Sequence, residues 1–201
     1  MSLLEPFSRP RWQHRDPAVR LAAVDELADP ATLLEVLQAD EDPAVRSRAL
    51  SRIDAPATLD RLIDETPAWL GGPLLQQARA QRLRQLLPEH GVLPPEADDA
   101  TLLRITALAD DAQLIEAVSG RIQSPQLRVD LAARHPLAHA RLSAAKSIDD
   151  IELLQNLMQH ARHKDKTVFR HCRERLDAHL AALRSAEERQ RNLAQLAEDV
   201  A

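Results

Sequence analysis

Asp16-Pro17-Ala18-Val19-Arg20 returns as Asp42-Pro43-Ala44-Val45-Arg46, 26 residues further along the chain. The segment between keeps step, because Pro30-Ala31-Thr32-Leu33 recurs as Pro56-Ala57-Thr58-Leu59. Two registers sharing one period predict a duplicated pair of helices. Self-similarity on the order of 20 to 50 residues marks stacked units, none of which buries its apolar face alone. Asp16 is placed to cap a helix whose first residue is Pro17, a position where the missing N–H costs nothing. Val19, Ala23 and Leu27 then share one face, and Val45, Ala49 and Ile53 repeat the spacing. Alanine between two larger residues lets a neighbouring helix come close while the ends of the layer stay filled.

Working outward, a second helix type opens on paired aliphatics: Leu33, Leu34 and Leu37, then Leu59, Leu62 and Ile63. Helices of about ten residues are marginal alone and need tertiary packing. Thr66-Pro67-Ala68-Trp69 resembles a third, degenerate start, cut short by Gly71-Gly72-Pro73, and residues 73–87 read as a longer helix. Pro88 to Glu96 breaks the pattern, since glycine and paired prolines cannot continue a helix. Capped starts resume at Asp99, Asp111, Ser124-Pro125, Pro136 and Asp149-Asp150. The last repeat-like start is Asp165, with Val168, Cys172 and Leu176 at the offsets of Val19, Ala23 and Leu27. The expected organisation is repeats over 1–90, a linker at 91–98, further repeats over 99–183 and a polar helix over 184–201.

The Asp-Pro-x-Val-Arg pattern at 16–20 and 42–46 resembles the opening of the second helix in HEAT-type α-helical repeats. The period of 26 is shorter than is usual for that class, and at Asp165 the arginine position holds Phe169. The stretches Pro10 to Arg20 and His163 to Arg170 look like the N-terminal part of a family of long bacterial helical proteins of unknown function. The resemblance implies an all-α, HEAT-like superhelical solenoid of short antiparallel helix pairs and brings no catalytic residue with it. The same resemblance would make this chain the repeat-bearing portion of something longer.

Composition agrees with helices. The chain is 44% hydrophobic but only 2% aromatic, without tyrosine, so its core must be aliphatic. Thirteen prolines against four glycines suit many short helices, each opened by proline. Its formal charge of −5 opposes wholesale binding to nucleic acid or anionic membrane. That charge is uneven: residues 1–100 carry a net −6 and residues 101–201 a net +1. One cysteine excludes an internal disulfide, and no long apolar run or signal-like start is present, so a cytoplasmic protein is expected.

The most basic window is 159–175, where Arg162, Lys164, Lys166, Arg170, Arg173 and Arg175 face only Asp165 and Glu174. Lys166, Arg170 and Arg173 fall on one helical face, opposite an expected buried face of Val168, Phe169, Cys172 and Leu176. Arg162, Lys164, Lys166, Arg170 and Arg173 are therefore the expected partner-binding residues, against the simpler reading of a solvated surface. Arg20 and Arg46 are expected to be structural, pairing with the adjacent repeat. The aspartate pairs at 98–99, 110–111 and 149–150 read as helix caps. His160, His163, His171 and His179 lack metal-ligand spacing, Cys172 sits at a core offset, and Trp12 should cover the end of the stack. No metal, cofactor, small molecule or enzymatic activity is expected.

The function this supports is a non-enzymatic scaffold for macromolecules, chiefly proteins, with nucleic acid reached through the 159–175 face. The alternative is a HEAT-like DNA-binding protein or glycosylase, against which the charge and the few aromatics count. A third reading has the C-terminal helix assembling copies of the chain.

Overall fold

The computed structural model describes residues 9–88 and 91–200, with side chains through 196. The Met1–Phe7 segment, Glu89 and His90, and the side chain of Val200 lie outside what it describes. The described residues form helices and connecting turns with no strand. Among them, eleven α-helices follow one 3-10 turn, Arg11–Gln13: α1 Pro17–Glu26, α2 Pro30–Ala39, α3 Pro43–Ser51, α4 Pro56–Glu65, α5 Gly71–Leu86, α6 Asp99–Leu108, α7 Ala112–Arg121, α8 Pro125–Arg134, α9 Ala138–Lys146, α10 Ile151–Ala161 and α11 Lys166–Val200. The chain divides into two compact units between Pro94 and Pro95, within the segment read as a linker. No described helix is long and apolar enough to cross a membrane.

Helix starts are set by local chemistry. Proline occupies the first turn of α1, α2, α3, α4 and α8. Asp16, Asp29, Asp42, Asp98, Asp111, Ser124 and Asp150 each accept a backbone N–H of the helix that follows, satisfying donors that the helix leaves unpaired. Asp165 does the same for Thr167 and Val168. In each expected cap pair a single member caps. Asp99 instead accepts the amides of Gln123 and Ser124, and Asp149 pairs with Arg175.

In the first unit α1 packs on α3 and α3 on α5, while α2 lies against α3 and α4 against α5. In the second, α7 packs on α9 and α9 on α11, with α6, α8 and α10 each against the helix that follows it. Val45, Ala49, Leu50 and Ile53 of α3 and its following turn are buried. In α1, Ala23 and Val24 are buried but Val19 and Leu27 only half-buried; among the described residues α1 packs chiefly on α3 and on the short 3-10 turn.

The α3 pattern has an unannounced copy in α9. Counting from Leu137, which precedes that helix, Ala140, Ala144, Ala145 and Ile148 fall at +3, +7, +8 and +11, and all are buried. Those are the offsets of Val45, Ala49, Leu50 and Ile53 from Asp42. Ser124-Pro125, one of the expected capped starts, opens α8, a helix that packs beside α10 and against α9. The polar C-terminal helix is continuous with the last repeat-like helix, since α11 runs from Lys166 to Val200 without a break at 184.

Candidate functional site

Arginines four residues past a helix start bridge to a turn further along the chain. Arg20 binds Asp40 through Nε at 2.7 Å and Nη2 at 2.8 Å. Its Nη1 donates to the carbonyls of His14 and Arg15. Arg46 donates to the carbonyls of Leu37 and Trp69. In the second unit Arg141 binds Asp165 through Nε at 2.7 Å, and its Nη1 donates to the carbonyls of His135 and Pro136. Arg128 donates to those of Ile122 and Ser147. Arg20 and Arg46 are thus engaged in holding neighbouring elements together.

Arg20 and Arg141 belong to one recurring clamp. A histidine precedes each by six residues, and its Nδ1 accepts an amide two residues on: Asp16 to His14 at 3.0 Å, Leu137 to His135 at 3.2 Å. The carboxylates match too, because the Asp40 amide bonds the Val36 carbonyl as the Asp165 amide bonds that of Ala161. Burial alone would raise both carboxyls. Hydrogen bonds from Arg20 and the Asp42 amide hold Asp40 below the ordinary carboxylate range, and the Val168 amide, Arg141 and the Thr167 amide do so for Asp165.

The five residues expected to bind a partner fall into two groups, all exposed. Lys166, Arg170 and Arg173 lie along one face of α11, while Arg162 and Lys164 stand on the turn between α10 and α11. Arg173 makes an open ion pair with Asp177 at 3.6 Å. Among the described residues Arg162, Lys164, Lys166 and Arg170 have no ionic partner, whereas Arg175 is held by Asp149 at 3.0 Å.

Beside the α11 stripe lies an open groove of about 480 Å³ whose floor carries Met158 of α10 and Phe169, Leu176 and Leu180 of α11. Arg173 and Asp177 stand at its edge. Phe169 corrects the sequence reading: it is half-buried in this groove, while Val168, Cys172 and Leu176 form the covered face. At the +4 position an arginine would have reached onward to another turn; the phenyl ring instead leaves apolar surface open. Leu180 and Leu183 extend that surface, at 50% and 48% exposure.

Other sequence candidates resolve simply. Cys172 is fully buried, and burial pushes its thiol up to about 11, the behaviour of an inert core residue. Among the described residues no group of three or more metal-ligating side chains comes together. Trp12 is half-buried in the 3-10 turn and lines a cavity with Arg20 and Asp40.

Sequence reading missed Met158 and Leu180, and also Arg134 and His160, which line a second cavity beside the Arg141 clamp. The histidine six residues before each clamp arginine was the available signal. Comparison with known proteins finds no matching family, no matching curated protein and no matching solved structure.

Proposed function

We propose that this protein is a non-enzymatic helical-repeat scaffold, a HEAT-like α-α solenoid, and that it binds an acidic amphipathic helix of a partner protein at the α10–α11 groove. The observation that carries the reading is the adjacency of an apolar floor, which includes Phe169, to the cationic stripe of Lys166, Arg170 and Arg173. An amphipathic helix would place apolar residues on Met158, Phe169 and Leu180 and carboxylates on the stripe. Lys166 is the first residue of α11, where the helix dipole disfavours positive charge, so the stripe stands against the helix's own preference. The stacking of α1, α3 and α5, and of α7, α9 and α11, supports the solenoid reading within each unit.

Partner capture by the wild type and by a Phe169→Ala, Lys166→Glu, Arg170→Glu variant tests this. Loss of the same companions from the variant, with helical content unchanged, supports the groove; identical capture contradicts it. Duplex DNA is the second reading, favoured by the cations Arg162, Lys164, Lys166 and Arg170, which have no ionic partner among the described residues. It predicts duplex affinity that falls steeply with salt, which an acidic-helix site does not require.

A further inference from the structure

The two clamps each border a cavity, about 300 Å³ beside Arg20 and Asp40 and about 340 Å³ beside Arg141 and Asp165. Most of their wall residues correspond; Glu41 lines only the first cavity, and Ala132 and Pro136 only the second. The register of His14 and His135 equates Gln13 with Arg134 and Trp12 with Ala133. The register of Asp40 and Asp165 equates Glu35 with His160 and Ala39 with Lys164. α2 runs to Ala39, directly before Asp40, whereas α10 ends at Ala161, so Lys164 stands on the turn that leads to Asp165.

The clamp groups are the same in both units, yet the wall changes in one chemical direction. A neutral amide becomes a guanidinium, a carboxylate becomes an imidazole and a methyl becomes an ammonium. The first unit shows that the clamp and its walls require none of these three side chains, so their presence in the second is not a demand of the fold. Asp165 is the only carboxylate among the wall residues of the second cavity, and it is already engaged by Arg141 and by the amides of Thr167 and Val168. Among the described residues the side chains of Arg134, His160 and Lys164 have no hydrogen-bonding or ionic partner, and the exchange of Trp12 for Ala133 leaves more room between them.

We propose that this second cavity is an oxyanion site that binds a phosphate monoester through Arg134, His160 and Lys164. Three donors from two elements, the end of α8 and the end of α10 with its following turn, suit an anion with several oxygens spread around one centre. A single carboxylate would engage only part of the set. The wall holds no Trp, Tyr or Phe on which a base could stack, so the phosphate itself is the recognised group. The site is separate from the α10–α11 groove and does not depend on the reading given to it.

The test is a titration with inorganic phosphate at fixed ionic strength, followed by amide chemical shifts, with acetate as the comparison anion. Saturable shifts confined to 132–136 and 160–165 are expected, with weaker effects from acetate. A variant carrying the first unit's residues, Arg134→Gln, His160→Glu and Lys164→Ala, should bind phosphate roughly tenfold or more weakly, as expected for losing charge-assisted bonds. If that variant loses helical content, Lys164→Ala alone, at an exposed position, takes its place. A peptide bearing phosphoserine distinguishes the source: tighter binding than inorganic phosphate assigns a partner's side chain, and equal binding assigns a free phosphate ester. Equal phosphate affinity in wild type and variant, or shifts that acetate reproduces, would overturn the proposal.

Discussion

Arg141 of α9 binds Asp165, the cap of α11, at 2.7 Å, and both side chains are largely withdrawn from water, at 21% and 13% exposure. One aspartate therefore starts the last helix and ties it to the helix stacked beneath it. Removing the arginine strands a partly desolvated carboxylate. Arg141→Ala should destabilise the protein by about 2 kcal/mol, between the under-1 typical of exposed pairs and the roughly 3 to 5 of buried ones. Urea denaturation checks this, with Arg173→Ala as the comparison, since the open Arg173–Asp177 pair should contribute within about 0.5 kcal/mol.

The same contact gives stability a pH dependence. Asp165 and Asp40 titrate below the ordinary carboxylate value in the folded protein. Their contribution is complete above the unfolded value near about 4 and is lost as pH falls through the lower folded one. The urea midpoint should therefore drop as pH falls below about 4, and Asp165→Asn should flatten that slope while lowering stability at neutral pH. A slope unchanged in the variant would deny Asp165 this role.

Ala49 and Ala144 occupy matching positions with no exposure. Either alanine replaced by leucine should overfill its layer and cost about 1 to 3 kcal/mol. Ser143→Leu, one residue away at a half-buried position, should cost less. Similar losses at 49 and 144 in thermal unfolding are what equivalence of α3 and α9 requires.

How far the sequence could be read depends on which side chains each copy kept. Asp16 and Asp42 stand out because cap, proline, valine and arginine recur together. In α9 the cap has become Leu137, the proline Ala138 and the valine Ala140. Only Arg141, Ala144 and Ile148 remain, a pattern that an alanine-rich chain produces by chance. The basic stripe was legible because charge on one helical face follows from spacing alone. The groove was not: whether Phe169 faces the core or an open end depends on what lies across from it, and sequence periodicity carries no record of that. The cavity walls were hidden for the same reason, because Arg134 and Lys164 are 30 residues apart.

Cys172 offers a chemical check on the packing of α11. Its buried thiol, with a value near 11, should resist alkylation by iodoacetamide at around pH 8 in the folded protein and react readily in denaturant. Rapid labelling of the native state would show that α11 is not seated on α9 and α10.

Most depends on the binding surface proposed at α10 and α11. Hydrogen–deuterium exchange of the protein with and without a captured partner locates that surface directly. Protection of 155–159 and 166–180 is predicted, with 17–65 unaffected. Protection elsewhere, with 166–180 exchanging at the free rate, would contradict it.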